Sequence, residues 1–319
     1  MFQFVYWLKA FAAIFITNAH YADIWPVPSL AFGGHFGNCI YFLVSGFCLY
    51  NIKESFPKWY AKRIIRIYPA LWIAATVDFI VGKNSADNLM ALMHCYIYPT
   101  WYHFIGSIML LYIVFYTIRF ICNKLKIDIR WFILIIFLGF VILYLLFFDK
   151  SSYHIDDINE KWVRFQFLES MLLGAFLREK YDAIKEKISC FNIISLLALM
   201  VCYFVAKKVI SSYESLSVIQ CFLPMILLCF VASFAVMCIK LEKKGFFASF
   251  NKTVNKLVMF LSGITLEIYL VQYLVIMKFS EIFFPLNFVL VTSIIIIYAW
   301  VLHKCSCYIQ KKCSKLLRL

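Results

Sequence analysis

Apolar residues along this chain do not alternate with polar ones. They gather into long runs, separated by short stretches that hold most of the charge. A helix needs roughly 20 residues, with a working range of about 17 to 25, to cross the hydrocarbon core of a bilayer. On that basis ten runs are expected to be helical spans, at about 4–22, 36–52, 67–82, 101–121, 131–148, 164–178, 189–207, 216–239, 257–277 and 284–303. The third and sixth are short. The segment 88–98, NLMALMHCYIY, is too short to cross alone and is expected at the interface or as a re-entrant piece. Barrel strands are excluded, because they alternate in facing and the runs here are continuously apolar. The expected fold is therefore an all-α, polytopic integral membrane protein of about ten transmembrane helices.

Composition agrees with the pattern. Hydrophobic residues make up 64% of the 319-residue chain, charged residues 15%, and the mean hydropathy is +0.84. Soluble domains carry about a quarter charged residues. The first run lacks a basic leader and a small-residue cleavage site, so it reads as a retained span.

The net charge of +14 invites a nucleic-acid reading. The distribution of the basic residues argues against it, since they fall in short connections between apolar runs. With the N-terminus on the cytoplasmic side, 24 of the 31 Lys and Arg residues lie on the inner side. The outer loop 149–161, DKSSYHIDDINEK, is acidic on balance. This is the positive-inside asymmetry. It closes with an even number of spans, which places both termini in the cytoplasm. Residues 1–303 form the expected transmembrane domain and 304–319 a basic cytoplasmic tail. The twelve cysteines are scattered, mostly in apolar runs, and Cys305-Ser-Cys307 has no second pair, so no metal site is expected.

Ionisable residues inside apolar runs are the candidates for chemistry. Lys9 and His20 sit near the two ends of the first run. A neutral imidazole suits a general base; an interfacial histidine bonded to a loop is the equal alternative for His20. For Lys9, snorkelling to the inner interface is the simpler explanation. Eleven helical residues rise about 16 Å, so the two cannot touch. Arg63 and Arg66 share a helix face at the cytoplasmic border. They suit phosphate, or anionic lipid. Ser45-Gly46 lies within the second run, where small residues serve close helix packing or a pocket, and Ser45 as nucleophile needs an activating base. Glu169 and Glu267 are expected to face inward or toward water, paired with Lys or Arg between helices or orienting a base. Gln272 suits an interhelical hydrogen bond.

Several motifs together resemble the membrane-bound acyltransferase-3 family, which includes sugar and polysaccharide O-acetyltransferases of bacterial envelopes. The first is a basic residue and a histidine in the first helix, here Lys9 and His20. The second is Phe-x-x-Ser-Gly, here FLVSG (Phe42–Gly46). The third is Arg-x-x-Arg-x-x-Pro, here RIIRIYP (Arg63–Pro69). GGHFGN (Gly33–Asn38), WYHF (101–104) and TLEIYLVQ (265–272) are also similar to family segments. The resemblance spans essentially the whole chain.

It implies an acyl donor, usually acetyl-CoA, used from the cytoplasmic side. The acceptor would be a glycan or lipid-linked sugar at the outer side, such as capsule or O-antigen, in a bacterial cytoplasmic (inner) membrane. By the resemblance, His20 is the catalytic base. Arg63 and Arg66, with Lys9, hold the phosphorylated donor, and Ser45 and Gly46 shape the donor pocket. The expected chemistry is direct transfer, with His20 taking the proton of the sugar hydroxyl; a relay through acyl-Ser45 or acyl-His20 is the alternative. A homodimer is compatible with this reading. Two positions depart from the family: Lys9 stands where arginine is usual, and Gln272 where histidine is often seen. No hydrolase-like extracellular domain is evident, so the transmembrane unit is expected to act alone or with a separate partner. The rival reading is a transporter or flippase for a lipid-linked sugar; transporters often show internal repeats, and none is visible here.

Overall fold

The computed structural model describes residues 2–83, 88–157, 161–279 and 282–317. The outer loop 149–161 therefore lies partly outside the described residues. Every regular element among them is helical. The α-helices are α1 (Gln3–Asn18), α2 (Gly34–Cys48), α3 (Phe56–Ile80), α4 (Leu89–Tyr96), α5 (His103–Leu125), α6 (Ile129–Phe147), α7 (Val163–Glu179), α8 (Cys190–Ser212), α9 (Phe222–Lys243), α10 (Phe246–Ser249), α11 (Lys252–Gly263), α12 (Thr265–Phe279) and α13 (Leu286–Leu316).

Local sequence accounts for the helix ends. Asp128 caps α6 by accepting from the Arg130 N–H, and a Ser189–Asn192 capping box opens α8. The Asp128 carboxyl is held below the usual carboxylate range by the Arg130 side chain. At the start of α1 the Gln3 and Phe4 N–H groups donate to the two oxygens of Glu242, at 2.9 and 3.0 Å. That carboxylate satisfies donors which a helix N-terminus leaves open and complements its positive end.

Among the described residues five helices, α5, α6, α8, α9 and α13, are long and apolar enough to cross a membrane, and α11 with α12 makes a sixth if the bent pair is one span. Each of the ten expected runs is helical, but four fall short of that standard. α1, α2 and α7 are 16, 15 and 17 residues long. α3 has Arg63, Arg66 and Asp78 within its apolar part. The ninth expected run is not one straight helix: α11 and α12 meet at an angle of 72° after Gly263. α4 coincides with the short segment set apart in the sequence. α13 continues as one helix through the expected boundary at 303/304.

The chain divides into two compact units. The first contains Met1–Leu8, Asn38–Ile52 and Val114–Lys256, and the second contains Lys9–Gly37, Lys53–Ile113 and Leu257–Leu319. In the first, α8 packs on α9, and α7 on both α6 and α9. α2 and α7 meet backbone to backbone there, through Gly46 and Gly174. In the second, α3, α12 and α13 pack on one another and α4 rests on α3. Most of the best candidate spanning surface of α6 and α8 is exposed, only 17% and 11% being buried. In a bilayer such apolar faces meet lipid tails.

Candidate active site

His20 does not lie on the first helix. α1 ends at Asn18, and the His20 N–H bonds to the Thr17 carbonyl at 3.0 Å, in the turn that follows. The side chain of Asn18 explains the stop. Its amide donates to the carbonyls of Leu30 and Phe32 at 2.8 and 3.0 Å, and its carbonyl accepts from the Trp25 indole at 2.9 Å. One residue thereby fastens the loop that follows α1. Two further bonds secure the loop, one between the hydroxyls of Tyr21 and Thr292 at 3.0 Å and one from Asn287 Nδ2 to the Ile24 carbonyl at 3.0 Å.

The turn delivers the His20 ring to α12. His20 Nε2 lies 3.0 Å from Tyr273 Oη, and the two ring centroids are 4.5 Å apart. Tyr269, one helical turn earlier, accepts the Phe104 N–H at 3.3 Å and packs edge-on to Tyr273. Lys83 lies over the Tyr273 ring, its Nζ 5.6 Å from the centroid. Its charge is matched by Asp78 at 2.9 Å, and Asp78, 2% exposed, also accepts from Tyr102 Oη at 2.6 Å. His20, Tyr273, Lys83, Asp78 and Tyr102 thus form one polar cluster within the second unit.

The sequence reading missed Tyr273, Lys83 and Asp78. Asp78 carried a usable signal, a carboxylate inside an apolar run. Tyr273 carried a weaker one, the four-residue spacing from Tyr269.

The other expected site residues fall as follows. Lys9 is half-buried on α1, in the second unit with His20. Arg63 and Arg66 are also in that unit, one turn apart on α3. The Arg63 guanidinium lies 5.4 Å from the Trp59 ring centroid. Arg66 is exposed, and its carbonyl accepts from Gln310 at 3.1 Å. Ser45 and Gly46 belong to the first unit. A Cβ on Gly46 would sit 1.8 Å from the Met171 carbonyl oxygen, so its bare backbone serves the contact with α7.

Glu169 and Glu267 both turn inward, as expected. Glu267 accepts from His303 Nδ1 at 2.8 Å, whereas Glu169 Oε1 has no hydrogen-bond partner among the described residues. Gln272 is fully buried, and the expected interhelical bond is absent: neither end of its amide finds a partner among the described residues.

Beside the His20 turn, α1, α11, α12 and α13 line a half-open apolar pocket of about 240 Å³, bordered in part by Ala13, Thr17, Tyr21, Ile268 and Thr292. No group of three or more His, Cys, Asp or Glu side chains placed to hold a metal ion occurs among the described residues.

A half-buried imidazole held by a hydroxyl, in a membrane helix bundle, suits proton removal from an alcohol. The comparison with protein families settles the class of reaction: the acyltransferase domain model matches residues 2–304. The chain belongs to the acyltransferase-3 family. It is a membrane acyltransferase, as its motifs implied, and its polytopic fold suits a bacterial inner membrane. No curated protein and no solved structure matches the chain. In this acyltransferase His20 sits in a turn held against α12 by its contact with Tyr273.

Proposed function

We propose that this acyltransferase moves an acetyl group from acetyl-CoA, taken from the cytoplasmic side, to a sugar hydroxyl of a cell-surface polysaccharide or lipid-linked glycan. The observation that carries the reading is the contact between His20 and Tyr273. If Nε2 holds the proton and donates to Tyr273 Oη, Nδ1 keeps a lone pair for the acceptor hydroxyl. That arrangement persists when Nδ1 takes a proton, because both nitrogens of an imidazolium are donors. Tyr273 then fixes the ring and its tautomer without taking part in the transfer.

The reaction runs in one step of attack and one of collapse. His20 removes the proton of the sugar hydroxyl as its oxygen attacks the thioester carbon. The tetrahedral intermediate collapses with cleavage of the C–S bond, and the imidazolium returns the proton to the departing thiolate. Arg63 and Arg66, with Lys9, bind or position the phosphorylated donor. The FLVSG segment, with Ser45 and Gly46, is assigned to the donor pocket on the family resemblance alone.

The membrane arrangement belongs to the same proposal. α1, α2, α3 and α7, added to the five long apolar helices and the bent pair, give ten spans. An even number and the basic inner loops place both termini in the cytoplasm. Residues 1–303 then form the transmembrane catalytic domain and 304–319 its basic cytoplasmic extension.

The test is label transfer from acetyl-CoA to glycan by the purified protein in vesicles, with the product followed by mass spectrometry. Wild type acetylates the glycan and His20→Ala, folded, does not. Near-normal acetylation by folded His20→Ala overturns the assignment.

A further inference from the structure

Arg119, on α5 in the first unit, is a cation only 5% exposed. Its guanidinium lies over Tyr50, with Cζ 4.1 Å from the ring centroid, and donates from Nη2 to Asn123 Oδ1 at 3.2 Å. Nε is buried and has no hydrogen-bond partner, and no carboxylate lies within 4 Å, among the described residues.

The carboxylates of its neighbourhood are engaged elsewhere. Asp128 and Glu179 both act electrostatically on Cys122, as Arg119 does. Asp128 pairs with Arg130 at 2.7 Å and Glu179 with Lys180 at 2.8 Å. The segment from Arg119 to Arg130 adds Lys124 and Lys126, against the single acid Asp128. A buried charge is strongly disfavoured unless it is paired and hydrogen-bonded. The Tyr50 face and one neutral amide supply part of that compensation. They supply no negative charge.

We infer that Arg119 is the centre of a phosphate-binding site in the first unit, with Tyr50 as the platform that sets the guanidinium plane and Asn123 as the clamp on one of its edges. A planar guanidinium offers donors in the fork that phosphate oxygens accept. Arg119 is six residues from the C-terminal end of α5, at the side taken as cytoplasmic. Two molecules bring phosphate to that depth, the CoA donor and an anionic phospholipid. Assignment to the donor rests on the acetyl-CoA reading above; the phosphate chemistry does not.

The experiment uses the full-length protein in nanodiscs containing phosphatidylglycerol. CoA affinity is measured by calorimetry, and retained phosphatidylglycerol by native mass spectrometry, for wild type and Arg119→Gln. A rise in the CoA dissociation constant of about tenfold or more in the variant places one of the donor's phosphates on Arg119. Loss of bound phosphatidylglycerol at unchanged CoA affinity places a lipid phosphate there. Both measures equal to wild type overturn the site. Wild type that binds no CoA sinks the acetyl-CoA reading, while the lipid arm still tests Arg119. Should Arg119→Gln fail to fold, Arg119→Lys keeps the charge and loses the fork. A smaller CoA-dependent thermal shift or weaker phosphatidylglycerol retention in Arg119→Lys supports the site; no change in either overturns it.

Discussion

Gly46 and Gly174 lock α2 against α7 through their backbones: a Cβ on Gly46 would meet the Met171 carbonyl oxygen at 1.8 Å, and one on Gly174 the Leu43 carbonyl oxygen at 1.9 Å. Neither obstruction is a flexible side chain, so an added methyl group has to push two helices apart. Gly46→Ala is expected to lower stability by about 1–3 kcal/mol, the usual range for overpacking. Thermal unfolding in detergent reads this directly. An unchanged midpoint would show that α2 and α7 are not held this closely.

Glu267 stands in the first turn of α12, where its charge complements the helix N-terminus, and it accepts from His303. Glu267→Ala removes the partner of His303 Nδ1. The expected loss is about 1–3 kcal/mol, from a polar group left without its hydrogen bond. Glu267→Gln retains an acceptor and should recover part of it. The comparison is a pair of melting curves, and equal curves for Ala and wild type count against the pair.

Tyr273→Phe keeps the ring packed on His20 and removes the hydroxyl. A hydrogen bond to a charged group is worth about 1.5–3 kcal/mol, so kcat is expected to fall by about tenfold or more. KM for acetyl-CoA should stay near the wild-type value, because Tyr273 orients the base and does not bind the donor. Full kcat in Tyr273→Phe, beside an inactive His20→Ala, would leave the base in place and remove the orienting role.

By the motif resemblance, Lys9 stands where the family usually has arginine. If its charge steadies the donor, Lys9→Ala raises KM for acetyl-CoA by about tenfold, while Lys9→Arg stays close to wild type or improves on it. A Lys9→Ala protein with unchanged KM and unchanged kcat reduces Lys9 to an interfacial anchor.

The length and continuity of the apolar runs identified an all-α membrane protein, because backbone polar groups in lipid are satisfied only in helices or closed barrels. The motifs around Lys9, Ser45-Gly46 and Arg63–Pro69 identified the family. Those features are local, and each is complete within a few residues or one helix. The tertiary structure decided what no local pattern contains: that α1 stops at Asn18, that α11 and α12 bend apart, and that Tyr273 meets His20 across 253 positions of sequence. It also paired Asp78 with Tyr102 and left Arg119 buried without a carboxylate within 4 Å among the described residues. Apolar periodicity reports how much of a helix leaves water, but in lipid nearly every face does. Which faces meet, and which polar groups they bring together, depends on close packing between helices far apart in the chain.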